Sequence, residues 1–541
     1  MGFLNILEDR HLGQLEVPGT AFLDNSSGKD LAPEKDKALK YGTGKHADTV
    51  LVPQPSDDPN DPLNFSPAKK LTITSIVSFG TVIFSAVIAP MLAPGLVVIA
   101  EEFKRPLKDV SLATGYQSLV AGCSLPLVSA CSRKWGKRPV MLISALFGFA
   151  GSISGALWTS FDGLIVSRII QGGSIAAFES VGISMIGDIY FVHERGFYMA
   201  LMQFLLGATS NFTAVVAGPI IANLGWEYLF YMLIPFTGVE TVLLFFFVPE
   251  TQYNRGTGFA GDTEIITTKD GGSIRSIETG STLVPQKKTY WQQLAVFTGT
   301  YSDDNFFQLL LMPFAICINL PVLWSVIVSG GAVALVVVQS IILPQVFSAP
   351  PYLLSPTGVG YLSMGPFVGG LLSAVVMAAI GDPLVRWACR RNGGVYEPEY
   401  RLLSMVGGFL MPLGALLFGY LAQNGVSFWA TASVHGVDVI GVICVATSTA
   451  AYGVDAYREM ASEIFVLSAA FKAFVFYSFS YFVNDWTASA GVGQVFYVLS
   501  LITTIIILTT PVIFVWGKVY RSYWARANIL GKLHLRTHAE D

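Results

Sequence analysis

The sequence predicts an all-α polytopic membrane protein, with twelve transmembrane helices in two pseudo-symmetric six-helix bundles. Of its 541 residues, 52% are hydrophobic and only 13% are charged, whereas soluble domains carry about 25% charged residues. The charged residues cluster between long apolar runs, and about 20 apolar residues are enough for one helix to cross the bilayer core. Most of the chain is therefore expected to lie in a membrane.

Twelve apolar spans follow from these runs, six before and six after a polar segment. Their approximate bounds are 71–99, 111–131, 139–158, 162–188, 198–222, 228–248, 316–342, 357–380, 401–422, 435–453, 464–483 and 491–515. The two groups predict an N-terminal bundle over residues 69–248 and a C-terminal bundle over residues 313–515.

Three polar segments remain outside the spans. They are an N-tail over 1–68, expected to be largely disordered, a central linker over 249–312 and a C-tail over 516–541. Within the linker, the Thr-, Ser- and Gly-rich stretch 261–282 has the composition of a flexible connection. The stretch 287–294, which contains Tyr and Trp, predicts a short helix at the membrane surface.

Two basic loops lie at matching places, each after the second span of its half: Arg133 to Pro139 and Arg386 to Asn392. Lys and Arg in short loops mark the cytoplasmic side of a membrane protein. Loops on the side of the N-tail hold ten such residues and the opposite loops hold three: Arg133, Lys134, Lys137, Arg138, Arg195, Arg386, Arg390, Arg391, Arg401 and Arg458 against Lys104, Arg105 and Lys108. Both termini and the linker are therefore expected in the cytoplasm, and the plasma membrane is the expected location.

The spacing of these loops also suggests an internal repeat. From the start of the first span to the basic loop is about 62 residues in the first half and about 70 in the second. Internal repeats of this kind underlie alternating-access transporters, which bind substrate between their halves near the bilayer midplane. An alternative is that any twelve-span protein obeying the positive-inside rule has basic loops.

Other classes of protein are not favoured by the sequence. A net charge of −4 does not indicate nucleic-acid binding. The five cysteines are scattered and lack the spacing of a zinc site or a disulfide framework. We see no catalytic triad, metal cluster or nucleotide motif in the sequence, so we expect neither an enzyme nor a cofactor, and uphill transport would draw on an ion gradient.

Several motifs carry a resemblance to a known family. The stretch Leu164 to Gly172 matches the pattern L-x-x-x-R-x-x-Q-G, and Gly207 with Gly218 and Pro219 looks like the antiporter motif of the fifth span. Four further stretches are similar to fungal sequences: Val52 to Asn64, Asp188 to Gly196, Val248 to Thr251 and Asn392 to Arg401. Over about residues 50–515 the chain resembles the major facilitator superfamily, and within it the fungal drug:proton antiporter-like transporters.

This resemblance implies roles for charged residues at the loops. The residues expected to take part in gating are Arg133, Lys137, Arg138, Asp382, Arg386, Asp455 and Arg458, with Asp455 and Arg458 in one cytoplasmic network. The chain departs from the family pattern in two respects. Arg133 stands three residues before Gly136, where the superfamily usually has an aspartate, and Glu227-Tyr228 follow Gly225-Trp226, where the family often has Arg-Trp. The usual charge relay of the loop at Arg133 therefore does not carry over unchanged.

Five ionisable residues inside the spans are candidates for proton coupling or substrate binding. A charge at a helix centre costs about 2.5–3.5 kcal/mol on insertion scales, so such residues usually face the bundle interior. Arg168, which the family motif implicates in proton coupling, lies eleven residues before Glu179. Eleven residues end about 20° beyond three helical turns, so the two share a helix face at about 16 Å separation. For both, the alternative is a structural role.

The other three candidates are Glu240, Asp438 and Lys472. Glu240 lies close to mid-membrane, where a carboxyl group that exchanges its proton suits a proton-coupled carrier; the alternative is a permanently protonated packing residue. Asp438 is a candidate for coupling or for the outer mouth. Lys472 is expected either to be a counter-charge for Asp438, Asp455 or Glu463 or to reach the cytoplasmic surface.

Three functions are consistent with these features. The first is export of drugs or a secondary metabolite by alternating access, coupled to protons, as the resemblance implies. The second is uptake of cationic compounds such as polyamines, favoured by the acidic candidates Glu179, Glu240 and Asp438. The third is a nutrient sensor that keeps the fold without translocation. The expected partners are a small organic molecule, protons and the lipid bilayer, with no nucleic acid, and the protein is expected to be monomeric.

Overall fold

The computed structural model describes residues 3–8, 17–22, 55–56, 58–253, 286–527 and 529–532. The flexible connection predicted over 261–282 lies outside the described residues, as do most of the N-tail and the end of the C-tail.

Twelve long helices account for most of the described chain. Eleven of them are long and apolar enough to cross a membrane, and the remaining one, α2, has 29 residues but a more polar sequence. The helices are α1 Pro67–Val87, α2 Leu107–Trp135, α3 Lys137–Leu157, α4 Phe161–Ile189, α5 Val192–Leu224, α6 Glu227–Phe247, α7 Leu320–Phe347, α8 Pro356–Arg391, α9 Pro398–Gln423, α10 Phe428–Ala456, α11 Ala461–Ala490 and α12 Val492–Ala527. Each predicted span corresponds to one of these helices, and the prediction of an all-α fold with two six-helix halves is confirmed.

The first span is shorter than predicted. Its helix ends at Val87, and the chain turns before it resumes as the short helix Leu96–Phe103. Pro90 and Pro94 explain the break, because proline has no backbone N–H to donate to the preceding turn and its ring crowds that turn. The short helix predicted within 287–294 is present as the single turn Tyr290–Gln293, and its place at the membrane surface stays a prediction.

The two halves contact each other through glycines that allow helices to approach closely. Where α2 crosses α11, a Cβ atom added to Gly122 would lie 3.0 Å from the side chain of Ala473. Where α5 crosses α8, a Cβ atom on Gly218 would lie 2.6 Å from the carbonyl oxygen of Pro356. Small residues are common at such helix interfaces in membranes because they bring the backbones together.

The contact between α5 and α8 lies at one end of the bundle. We call the end that carries the loops 133–139 and 386–392 the basic-loop end, and the other the opposite end. Gly218 and Pro356 lie at the opposite end, and the close packing of α5 on α8 in the described residues involves the part of α8 from Pro356 to Val376. The halves are therefore closed against each other at the opposite end.

Two parts of the N-tail, which was expected to be largely disordered, pack against the C-terminal half. Strand β1 (Ala21–Phe22) pairs antiparallel with strand β2 (Val395–Tyr396), just before α9. The hydroxyl of Thr20 donates a hydrogen bond of 2.8 Å to Glu397. Ile6 is 3% exposed and belongs to an apolar cluster of the C-terminal half. The start of the chain thus precedes the N-terminal half in sequence but is bound to the other half in space.

The contact between α5 and α8 generates a prediction. Gly218→Ala places a methyl group 2.6 Å from the backbone of Pro356, so the helices must separate, and overpacking of this kind costs about 1–3 kcal/mol. We expect a lower midpoint of thermal unfolding for the purified protein. Gly207→Ala is the matched control in the same helix, because a Cβ atom there meets nothing within 4 Å. Equal midpoints for the two variants would contradict the role of this contact.

Candidate functional site

An ion pair joins the two halves near the middle of the bundle. Lys472 of α11 donates its Nζ to the carboxylate of Glu179 of α4. Each lies about four residues, or about 6 Å along the axis, from the midpoint of its helix. The structure therefore brings two of the predicted site residues together, whereas the expectation that Lys472 pairs with an acid of its own half is wrong.

This pair is only partly enclosed. The Glu179 side chain is 13% exposed and the Lys472 side chain is 25% exposed, so both reach the space between the halves. A charge at this depth is expensive without a partner, and removal of one partner from a buried pair leaves the other uncompensated. Each member of the pair therefore stabilises the other. A proton or another ion that neutralises one member weakens the link between the halves.

Arg168 has a different environment inside the N-terminal half. It is fully buried, and its guanidinium donates hydrogen bonds of 2.9 Å each to the carbonyl oxygens of Ile88 and Ala89 and to the side chain of Gln171. The two carbonyls follow the end of α1, where the helix supplies no further N–H donors. Arg168 thus caps α1 from α4, and it does not contact Glu179.

Glu240 of α6 is also enclosed within the N-terminal half. It is fully buried, and neither carboxylate oxygen has a hydrogen-bond partner among the described residues. A Cβ atom on Gly80 of α1 would lie 2.6 Å from Glu240 Oε1 and 2.5 Å from the ring of Phe178 of α4. Because burial of an unpaired charge is costly, this arrangement suits a carboxyl group that holds a proton.

Asp438 occupies the corresponding interior of the C-terminal half. It is 1% exposed and accepts a hydrogen bond of 2.7 Å from Gln339 of α7. His435 lies one turn before it on α10, and both of its ring nitrogens lack partners in the described part of the chain, as do Asp438 Oδ1 and Gln339 Oε1. Sequence reasoning missed His435 and Gln339, although a histidine one helical turn from a buried aspartate was a signal for the first.

The first basic loop fastens three helices of the N-terminal half. Lys137, at the start of α3, forms an ion pair of 2.6 Å with Asp188 at the end of α4. The backbone N–H groups of Lys137 and Arg138 each donate 3.0 Å hydrogen bonds to Glu250, just after α6. The Arg138 guanidinium donates to carbonyl oxygens at the end of α6, including that of Phe245 at 2.7 Å.

The remaining arginine of that loop points to the other half. Arg133, at the end of α2, pairs with Glu463 at the start of α11 at 3.3 Å, and both side chains are almost fully buried. Arg133, which stands where the superfamily usually has an aspartate, is therefore paired with an acid of the C-terminal half. The two residues form a second ion pair between the halves, at the basic-loop end.

The C-terminal half repeats the ion pair that fastens the first. Arg401, at the start of α9, pairs with Asp455 at the end of α10 at 2.9 Å and with Asp382 of α8 at 2.8 Å. Arg401 and Asp455 thus occupy the places that Lys137 and Asp188 occupy in the first half. The cation that pairs with Asp455 is thus Arg401, and the network expected around Asp455 and Arg458 stays a prediction.

Two side chains complete the surroundings of Asp455 and Asp382. The Tyr396 hydroxyl donates to Asp455, and burial, together with that carboxylate, raises the pKa of Tyr396 well above its usual range, so the hydroxyl remains a donor. Arg386, another predicted gating residue, donates only to the backbone oxygen of Asp382, at 3.4 Å.

A buried charge cluster lies next to this network. Glu397 accepts from Lys518 at 2.6 Å and from Arg521 at 3.0 Å, and Arg521 also pairs with Glu399 at 2.8 Å. All four side chains are at most 4% exposed. The N-tail completes the cluster, because Arg521 donates to the carbonyl oxygen of Pro18. The stretch 392–401, quoted above for its family resemblance, therefore supplies both acids of the cluster and Arg401.

The fold and these ion pairs define the class of the protein. Two similar six-helix halves, with ionisable residues where they meet, form the architecture of a secondary transporter that works by alternating access. Residues 73–469 match the sequence model described as the Major Facilitator Superfamily, well over half of the chain. The chain therefore belongs to this superfamily, and it is a membrane transporter and not an enzyme.

Comparison with individual proteins shows which members of the superfamily the chain resembles. The chain is 24% identical over 94% of its length to an uncharacterized MFS-type transporter of Schizosaccharomyces pombe, of which it covers 94%. It is 23% identical over 91% of its length to a probable drug/proton antiporter, YHK8 of Saccharomyces cerevisiae, of which it covers 93%. The crystal structure of a D-xylose-proton symporter matches 81% of this chain and 97% of its own with a TM-score of 0.55 at 14% identity, a likeness of fold. The resemblance to fungal drug:proton antiporter-like transporters is confirmed.

The pair at the basic-loop end can be tested by charge reversal. Arg133→Glu sets a carboxylate against Glu463 in a buried site, and we expect a loss of about 3–5 kcal/mol in stability, since breaking a buried pair leaves an uncompensated charge. The double variant R133E/E463R should recover most of the midpoint of thermal unfolding. Lys108→Glu is the control, because its pair with Asp485 is 27% and 64% exposed and exposed pairs contribute about 0–1 kcal/mol. No recovery in the double variant would contradict the pairing.

Proposed function

We propose that this protein exports a small organic molecule from the cytoplasm in exchange for protons, with the basic-loop end on the cytoplasmic side. The observation that carries the proposal is the Glu179–Lys472 ion pair. It links the two halves close to the bilayer midplane, where alternating-access carriers bind their substrates. It also consists of groups whose charge a proton can change.

The proposed orientation rests on the basic loops. Lys and Arg in short loops favour the cytoplasmic side. The halves are in contact at both ends, through α5 and α8 at the opposite end and through the buried Arg133–Glu463 pair at the basic-loop end. A change of state is proposed to separate the halves at one of these two ends while they stay together at the other.

Proton coupling is proposed to act on the central pair. Protonation of Glu179 removes its charge, breaks the attraction to Lys472 and leaves the halves free to separate. The two carboxyl groups inside the halves, Glu240 and Asp438, are proposed as further proton carriers, and Arg168 is proposed to hold α1 in place while they exchange. A membrane potential adds about 2.3 kcal/mol for each charge moved through 100 mV.

Export is favoured over uptake of cations for a structural reason. Uptake of cations would require several acids that face one binding space. Glu179, however, is already neutralised by Lys472. Glu240 and Asp438 are enclosed in separate halves. Aromatic rings between the halves suit an apolar organic substrate instead, for example exposed Phe212 of α5 and half-buried Phe367 of α8, with ring centroids 5.1 Å apart. The likeness to a probable drug/proton antiporter supports the same direction.

A flux assay in whole cells tests the proposal. Cells with and without the protein are loaded with a lipophilic dye or a labelled polyamine, with and without a proton uncoupler. We expect less dye in cells that contain the protein, and loss of that difference with the uncoupler, because export draws on the proton gradient. Higher polyamine accumulation without dye exclusion would show cation uptake instead. No difference in either compound would favour a sensor that does not translocate.

The central pair has its own prediction. Glu179→Gln keeps the size of the side chain but removes the charge that a proton controls, so we expect proton-driven export to fall by about tenfold or more, about 1.4 kcal/mol in the barrier. Glu101→Gln, at an exposed position of the opposite end, should leave export unchanged. The exchange E179K/K472E restores the attraction in reverse order and keeps a carboxylate that a proton can neutralise, so it should recover part of the export. If Glu179→Gln leaves proton-driven export at the level of the natural sequence, the coupling role is refuted.

A further inference from the structure

The basic-loop end of α8 is an amphipathic helix with two different faces. After a wide turn over Met377–Gly381, the segment Asp382–Arg391 continues as a regular helix. One face is buried: Val385, Ala388 and Cys389 form an apolar cluster with Ile6 of the N-tail. That face is therefore already occupied by this chain.

The other face forms an open, basic groove. It has a volume of about 540 Å³ and is lined by Pro383, Arg386, Trp387, Arg390 and Arg391. The lining holds three arginines and no acid. Trp387 is 44% exposed, and the Arg391 guanidinium lies 5.7 Å from the centre of its ring. We call this feature the α8 groove.

The nearest acid does not neutralise these arginines. The carboxylate of Asp382 pairs with Arg401 at 2.8 Å, and Arg386 reaches only the backbone oxygen of Asp382. The side chains of Arg386, Arg390 and Arg391 are exposed. The groove thus concentrates positive charge beside an exposed indole ring.

Its position places the groove at the surface of the bilayer. It follows directly on the apolar part of α8, which ends near Gly381. Tryptophan and arginine are the side chains that settle at the level of lipid headgroups. Basic pockets at the cytoplasmic surface are a recurring way to bind anionic headgroups, because that leaflet is negatively charged.

We infer that the α8 groove binds the phosphorylated headgroup of an anionic phospholipid. The guanidinium groups of Arg386, Arg390 and Arg391 donate to phosphate oxygens, for which the planar fork of arginine is well suited. Trp387 packs beside the glycerol and the first acyl carbons. Because the N-tail covers the other face of this helix, a bound lipid and the N-tail hold the end of α8 from two sides.

A simpler explanation is that the arginines only orient the chain during insertion. Under that explanation they bind no lipid in the folded protein, and their loss changes no lipid retention. The inference rests on the proposed orientation for one point, namely that the lipid is bound in the cytoplasmic leaflet. The binding itself does not, because lipid of either leaflet is available to a detergent-purified protein, so the two proposals can fail separately.

The full-length protein, purified in detergent, is mixed with phosphatidylcholine containing phosphatidylinositol 4-phosphate and then examined by native mass spectrometry. We expect one phosphoinositide to remain bound to the natural sequence. Retention should fall by about fivefold for Arg390→Gln and by about a hundredfold for R386Q/R390Q/R391Q, since each basic residue near the surface contributes a comparable factor. The matched control is K104Q/R105Q, which removes basic residues of the opposite end outside the groove and should retain the lipid.

Three outcomes would overturn the inference. They are equal retention by the triple and control variants, retention of phosphatidylcholine to the same extent, and displacement of the lipid by millimolar inorganic phosphate alone, which would identify a free anion site. The single variant Arg390→Gln keeps two of the three arginines, so it remains informative if the triple variant does not fold.

Discussion

The structure depends on one constraint, namely that charges enclosed by apolar helices need partners. Inside each half the constraint is met in the same way, by a cation at the start of the third helix and an aspartate at the end of the fourth. These pairs are Lys137–Asp188 and Arg401–Asp455, and each joins two helices of the same half. Each half is thereby fastened at its basic-loop end and can move as a rigid unit.

Between the halves, pairing has a different meaning. The pairs Arg133–Glu463 and Glu179–Lys472 join surfaces that must part if the carrier is to change state. The strength of these pairs therefore contributes to the free-energy barrier between the states as well as to the free energy of unfolding. A buried pair that forms in one state only can shift the balance between two conformations by as much as its differential free energy. In the proposed mechanism, a charge change on one side chain of such a pair biases the movement of a six-helix half.

The sequence was sufficient to predict the helices, but it was not sufficient to predict which charged side chains pair between them. Every predicted span is present as a helix, and for eleven of the twelve helices length and apolar composition are enough to cross a bilayer. The first helix ends earlier than predicted, at Val87 before Pro90. The partner of Lys472 was predicted in its own half, because helix rotation and the contact between halves leave no mark in a linear pattern. Three of the acids that form pairs, Asp188, Glu397 and Glu399, lie in stretches that carried the family resemblance. They were visible as motifs but not as contacts.

The N-tail gives the chain an unusual connectivity. Ala21 and Phe22 of the tail form a strand on β2 and Pro18 completes a charge cluster around Arg521, although the helix that follows the tail belongs to the other half. A hybrid protein that joins the N-terminal half of one relative to the C-terminal half of another would therefore separate the tail from the surface it packs on. The unit to exchange with the C-terminal half includes the tail segments 3–8 and 17–22.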